Sequence, residues 1–190
     1  MPLSLPTSLQ VGLKEWDVVC RALARGRQIL LLRKGGIYEA SSGFELEHNQ
    51  FLLFPTFVHQ NLASLKSEVH ADFSPQSQEP EMVNLSVAAV ASDIVRLTDR
   101  AQMAALDDQH IWASPLIDMR FNYRPDNPLY LLLVRVYALW SPMVLKNTPA
   151  YAGCKSWVPL EQPIATGNAQ AVLDDLKYEV TRKGILERLK

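Results

Sequence analysis

The sequence predicts an α+β fold: a compact mixed, mostly antiparallel sheet, or a small β-barrel, with flanking helices. Three observations carry that reading. The stretch "PLYLLLVRVYALW" (128–140) is apolar on both faces, as a buried strand must be. So is the shorter run "RQILLLRK" (27–34). Segments of helical period fall among these runs without a regular strand–helix–strand rhythm, which argues against a doubly wound sheet. Residues 27–34 and 129–139 are expected as central strands, and the 190 residues as a single domain, 1–190.

The elements follow in order. Leu13, Trp16, Cys20 and Leu23 recur at helical spacing and Gly26 follows as a C-cap, predicting a helix over 12–25. Strand 27–34 comes next, then a turn at Gly35-Gly36, an extended "IYEA" (37–40) and a second turn at "SSG" (41–43). "FELEHNQFLLFPT" (44–56) reads as extended and stops at Pro55. His59, Leu62, Leu65 and Val69 suggest a short helix that Thr56 is placed to cap. "DFSPQSQEPEM" (72–82) is polar and proline-containing, which marks an exposed, mobile loop or a linker. "VNLSVAAVASDIVRL" (83–97) supplies one or two strands, and Asp99 is placed to cap a helix over 100–110. "CKSWVPL" (154–160) is a shorter strand, and 168–189 reads as helix with a break at Gly184.

Composition narrows the function. The formal net charge is −1, so any nucleic-acid site must come from local clustering. Two distant cysteines, Cys20 and Cys154, make neither a disulfide framework nor a cysteine-based zinc site, and a cytoplasmic location is expected. The opening "MPLSLPTSLQ" lacks a basic region and an apolar run, so no signal peptide is expected. The longest apolar run, "LYLLLV" (129–134), is too short to cross a bilayer. No metal site and no cofactor are expected.

Residues 18–38 hold five cations (Arg21, Arg25, Arg27, Arg33, Lys34) and no acid. Arg33 and Lys34 end an apolar strand, point to opposite faces, and are followed by Gly35 and Gly36, which admit close backbone approach. One reading is an anion site in which these side chains and the glycine amides contact phosphate. The other is a solvated helix face and a basic turn. The stretch is not a Walker loop, since GxxxxGK[ST] occurs nowhere.

Other candidates are thinner. Of four histidines, none sits in an HExxH or in metal-ligand spacing, and Glu45, Glu47 and His48 fit a surface strand. "FPTFVHQ" (54–60) puts Thr56, His59 and Gln60 at a strand-to-helix junction, a location suited to a polar pocket or to a plain cap. Arg135 interrupts the strongest strand and must pair with an acid, reach the rim or face a polar cavity. "YAGCKSW" (151–157) groups Tyr151, Cys154, Ser156 and Trp157 about a glycine turn, with Lys155 beside the thiol.

Four stretches in this order, "LKEWDVVCRALARGRQILLLRKGGI", "FLLFPTFVHQ", "PLYLLLVRVYALW" and "YAGCKSWVPL", resemble the bacterial family known as domain of unknown function 1802. The likeness runs from about Leu13 to Leu160. It implies no particular activity. Some members look joined to restriction-endonuclease-type domains, which implies a nucleic-acid role linked to restriction or defence. The present chain is expected to have no room for such a domain. A weaker resemblance is to PUA-like ASCH domains, which carry G-x-K-x-x-E-x-R after a helix. Gly26 and Arg33 match, whereas Gln28 and Leu31 replace the lysine and the glutamate. This resemblance implies a small barrel that reads RNA or modified bases, without the ASCH polar residues.

Three functions follow as expectations. The first is a module binding nucleic acid (DNA or RNA) or a nucleotide through Arg33, Lys34, Gly35, Gly36, Arg135, His59 and Gln60. The second is a metal-dependent nuclease or nucleotide hydrolase, with Glu39, Lys34, Asp93 or Asp118 as the only acids and base to propose. The third is a ligand-free interaction protein docking through the tail helix.

Overall fold

The computed structural model describes residues 3–34, 45–74 and 76–190. Within them the fold is α+β, with a mixed seven-stranded sheet ordered β2-β5-β4-β3-β1-β6 and β7 added beside β5. β5 (Leu129–Lys146) and β4 (Met82–Leu97) form its long antiparallel centre. β2 (Leu30–Arg33) flanks β5, β3 (Gln50–Thr56) flanks β4, and β1 (Ser8–Trp16) lies between β3 and β6 (Trp157–Ala165). Every pairing is antiparallel except β1 with β3. The short β7 (Gln170–Ala171) pairs with Tyr137 and Ala138.

Burial on both faces explains why β5 dominates. Leu131, Leu132, Leu133 and Val134 are all inaccessible to solvent. One face packs under α1 (Asp17–Ala24), whose Val18, Val19, Ala22 and Leu23 are buried in the same core. A second core gathers Leu52, Phe54, Leu85, Tyr151, Val158 and Ile164 on the other side. Among the described residues no helix is long and apolar enough to cross a membrane.

Several expectations change. Residues 12–16 are strand, and the helix starts only at Asp17. The backbone of that segment pairs on both edges, with Leu52–Thr56 and with Trp157–Val158, and this ladder outweighs a helical spacing of apolar residues. Gly12 permits it, because a Cβ there would lie 3.2 Å from that of Phe54. Residues 30–32 are buried as expected, but β2 ends the strand order instead of occupying its centre. Pro55 does not stop β3, since it sits opposite Glu15 of β1, beyond the part of β3 that pairs with β4. "IYEA", "SSG", Gly35 and Gly36 lie outside the described residues.

After β3 the chain makes two 3₁₀ turns, Leu62–Ser64 and Ser67–Asp72, in place of one helix. Asn61, not Thr56, caps the first, while the Thr56 hydroxyl donates to the Glu15 carbonyl. Residues 83–97 are one strand, bulged near Ser86 and Ser92. Asp99 does cap α2 (Arg100–Ala104), in a capping box with Gln102, but the helix is one turn and a half. α3 (Ser114–Asn122) had no counterpart in the sequence reading, because its apolar pattern is weak. In the tail, β7 precedes α4 (Asp175–Arg188) and Gly184 lies within that helix. Asp174 caps it, and Tyr178, Ile185 and the Arg182–Asp93 ion pair at 2.5 Å hold it in place, so one glycine does not break it.

Candidate functional site

The five cations of residues 18–38 are all engaged. Arg21 pairs with Asp17 at 2.6 Å, Arg25 with Asp72 at 2.6 Å and Arg27 with Glu68 at 2.8 Å. Arg33 reaches from β2 to β1, donating to the Lys14 carbonyl at 2.6 Å and standing 3.7 Å from the Glu15 carboxylate. It thereby links two strands that are far apart in the sheet order. Lys34 is buried and donates to the Phe121 carbonyl at 2.8 Å. That burial, with Arg120 nearby, pulls its ammonium below the usual amine range.

Arg135 lies under α4. It bonds the Asp175 carboxylate at 2.6 Å and the Asp174 carbonyl at 3.1 Å, with its guanidinium 4.7 Å from the centre of the Tyr178 ring. The acid, carbonyl and ring account for this buried charge. Gln60 accepts the Val18 N–H at 3.2 Å in the first turn of α1 and donates to the Phe57 carbonyl at 3.2 Å. Asp93 is held by Arg182 and Asp118 by Arg100, and Glu39 lies outside the described residues.

His59 stands apart. It is exposed, takes φ 70°, and lines an open cavity of about 780 Å³ at the ends of β1 and β3. Lys14 and Trp16 form one wall, Phe54, Thr56, Val58 and His59 the second. Glu79, Pro80 and Glu81 close a third side, and the loop from Asn147 to Lys155 the fourth. The volume is that of a small-molecule site. Part of its lining comes from three of the four stretches that carried the family resemblance, and the rest from Glu79–Glu81 and Asn147–Pro149.

The chemistry of this cavity differs from that of the basic stretch. Lys14 donates to the Gly153 carbonyl at 2.9 Å, and Lys155 to the Ala150 carbonyl at 2.9 Å. Among the described residues neither lies within ion-pair distance of a carboxylate. An ammonium has three donors, so each keeps capacity for a ligand. Burial and the charge of Lys155 draw the Lys14 ammonium below the usual amine range, while Glu79 and Cys154 partly oppose them. Trp16 is half-buried and offers a ring at the wall.

Sequence reasoning missed Lys14, Trp16 and Glu79. Once residues 8–16 are known to be a strand, alternation puts Gly12, Lys14 and Trp16 on one face and Leu13 and Glu15 on the other. The helical reading hid that signal. Nothing local marks Glu79.

The curated proteins hold no match to the chain. Among solved structures, the crystal structure of a ZmASCH mutant protein from Zymomonas mobilis is similar at 10% identity and a TM-score of 0.40. That likeness covers 73% of this chain and 76% of the other. The family model described as domain of unknown function (DUF1802) matches residues 12–183, and the chain belongs to that family.

Proposed function

We propose that this chain is a nucleotide or nucleic-acid binding module whose ligand occupies the cavity at the ends of β1 and β3. One observation carries the reading: two lysines that have no carboxylate partner among the described residues, Lys14 and Lys155, share an open cavity of about 780 Å³ with a half-buried indole. Ammonium groups take phosphate as point charges, and an aromatic face stacks on any base. His59 adds a polar ring at the same wall. Arg33 and Gln60 serve the site indirectly, because one fixes the end of β1 and the other fixes the turn that carries His59. Lys34 and Arg135 hold α3 and α4 in place.

Fluorescence anisotropy with a labelled short single-stranded oligonucleotide and a labelled nucleotide, across a salt series, tests it. The wild-type chain is expected to bind at low salt and to release the oligonucleotide as salt rises. Lys14→Ala with Lys155→Ala is expected to weaken binding about tenfold or more and to shrink the log–log salt slope by up to about two units. A thermal melt of the double variant should move little. No binding of either probe at low salt, or undiminished binding by the double variant, overturns the reading.

A further inference from the structure

Glu79 makes an unusual use of its carboxylate. Its Oε1 accepts the Phe57 N–H at 3.1 Å and the Val58 N–H at 3.0 Å, and its Oε2 accepts the Phe57 N–H at 3.0 Å. Two successive backbone amides thus converge on one anionic group. Successive amides aimed at a single point form a concavity that binds anions. Both amides belong to the half-buried junction between β3 and the first 3₁₀ turn, and Val58 lines the cavity next to His59. The side chain that fills this seat is exposed and comes from a stretch with no regular structure.

We propose that the amides of Phe57 and Val58, with the Lys14 ammonium across the cavity, form a seat for a phosphomonoester, and that the Glu79 carboxylate occupies it as a built-in competitor. The inference rests on the reading that the cavity takes a nucleotide. It adds that the phosphate enters where Glu79 now sits, so the free protein holds its own anion in place of the ligand's. A terminal phosphate fits such a seat better than a phosphodiester does. It carries more charge and more free oxygens for two amides and an ammonium to share. Lys14 feels the charge of Glu79, as it would feel that of a phosphate in the same place.

The competitor role separates this site from a merely structural tether. Removing a tether weakens binding or leaves it unchanged, whereas removing a competitor strengthens it. Titration calorimetry is run with adenosine 5′-monophosphate, adenosine and inorganic phosphate on the wild-type chain, Glu79→Ala and Glu79→Gln. Glu79→Ala is expected to bind the monophosphate about tenfold more tightly than the wild type, as expected for charge-assisted hydrogen bonds freed for a ligand. Adenosine affinity should not change. Glu79→Gln keeps an acceptor of the same shape without the charge and should show a smaller gain. Adding Lys14→Ala should cancel the gain.

No gain in either Glu79 variant, for the monophosphate or for inorganic phosphate, overturns the seat. So does an equal gain for adenosine. Should Glu79→Ala fail to fold, the glutamine variant alone decides by the same criterion. If the oligonucleotide binds but no Glu79 variant gains affinity for the monophosphate, the seat is wrong and the binding reading stands. If phosphate gains affinity in Glu79→Ala while no nucleotide, adenosine or oligonucleotide binds any variant, the seat stands and the nucleotide reading falls.

Discussion

Two cationic regions of this molecule meet at β1 and behave in opposite ways. The stretch 18–38 is the most basic in the sequence, yet all five of its cations are engaged by acids or carbonyls from Asp17, Asp72, Glu68, β1 and α3. Lys14 and Lys155 are unremarkable in sequence, 141 positions apart, and stand at one cavity without carboxylate partners among the described residues. Charge density along a chain counts charges before folding supplies their partners. Availability for a ligand is what remains afterwards. Lys14 belongs to both regions, since its carbonyl anchors Arg33 while its ammonium faces the cavity.

The largest effect should come from breaking the engaged region at Arg33. Arg33→Ala removes the bond to the Lys14 carbonyl and leaves the largely buried Glu15 without its nearest cation. A loss of about 3 kcal/mol is expected, the low end for breaking a buried pair, because Glu15 keeps the Trp16 N–H as a donor and Arg120 nearby. Urea denaturation checks it. Binding measured below the denaturation range should fall less than in Lys14→Ala. A variant of wild-type stability that has lost its binding would reverse the assignment and make Arg33 the ligand contact.

Acid should act on the same side of the comparison. His110 is buried against Trp112, with ring centroids 5.3 Å apart, next to Ile111, whose N–H bonds Gln28 just before β2. Burial first, then the charge of Lys66, pushes its pKa down from 6.5 to about 4. The folded chain therefore keeps this imidazole neutral where the unfolded chain protonates it. Stability is present in full above pH 6.5 and is lost as pH falls from 6.5 through about 4, by roughly 2–3 kcal/mol. Chemical denaturation at a series of pH values measures the slope, and His110→Phe should flatten it between those limits. A slope unchanged in that variant assigns the acid sensitivity elsewhere.

What the sequence disclosed follows from where its signals arise. β5 and β2 were legible because burial on both faces leaves an uninterrupted apolar run, and Asp99 was legible because a capping box is local. The strand over 8–16 was not, because the two partners that hold it come from residues 52–56 and 157–165. Arg135 could be read as a charge that needed a partner or faced a ligand. The partner proved to be Asp175 on a helix whose start the sequence placed too early. Of the proposed site residues only His59 lines the cavity, while Gly35 and Gly36 lie outside the described residues. The cavity was illegible as a whole, since its four walls come from four separate segments and none carries a local motif.

The smallest expected effect falls on the residue that joins the two regions from the other side. Gln60 caps the first turn of α1, the helix that leads into the basic stretch, and also holds the Phe57 carbonyl beside the cavity-lining Val58. Gln60→Ala leaves the Val18 N–H without its acceptor, and loss of a cap of this kind costs about 1 kcal/mol. It also loosens the turn that presents the Phe57 and Val58 amides, so monophosphate affinity should fall by a small factor, about two- to threefold. Gln60→Glu separates the two contacts. A carboxylate still accepts from Val18, at a helix N-terminus where negative charge is favourable, but cannot donate to the Phe57 carbonyl. Its stability in urea should therefore match or exceed that of the wild type, while its monophosphate affinity drops at least as far as in Gln60→Ala. Equal destabilisation in both variants would show that the Phe57 contact, and not the cap, is what Gln60 contributes to the fold.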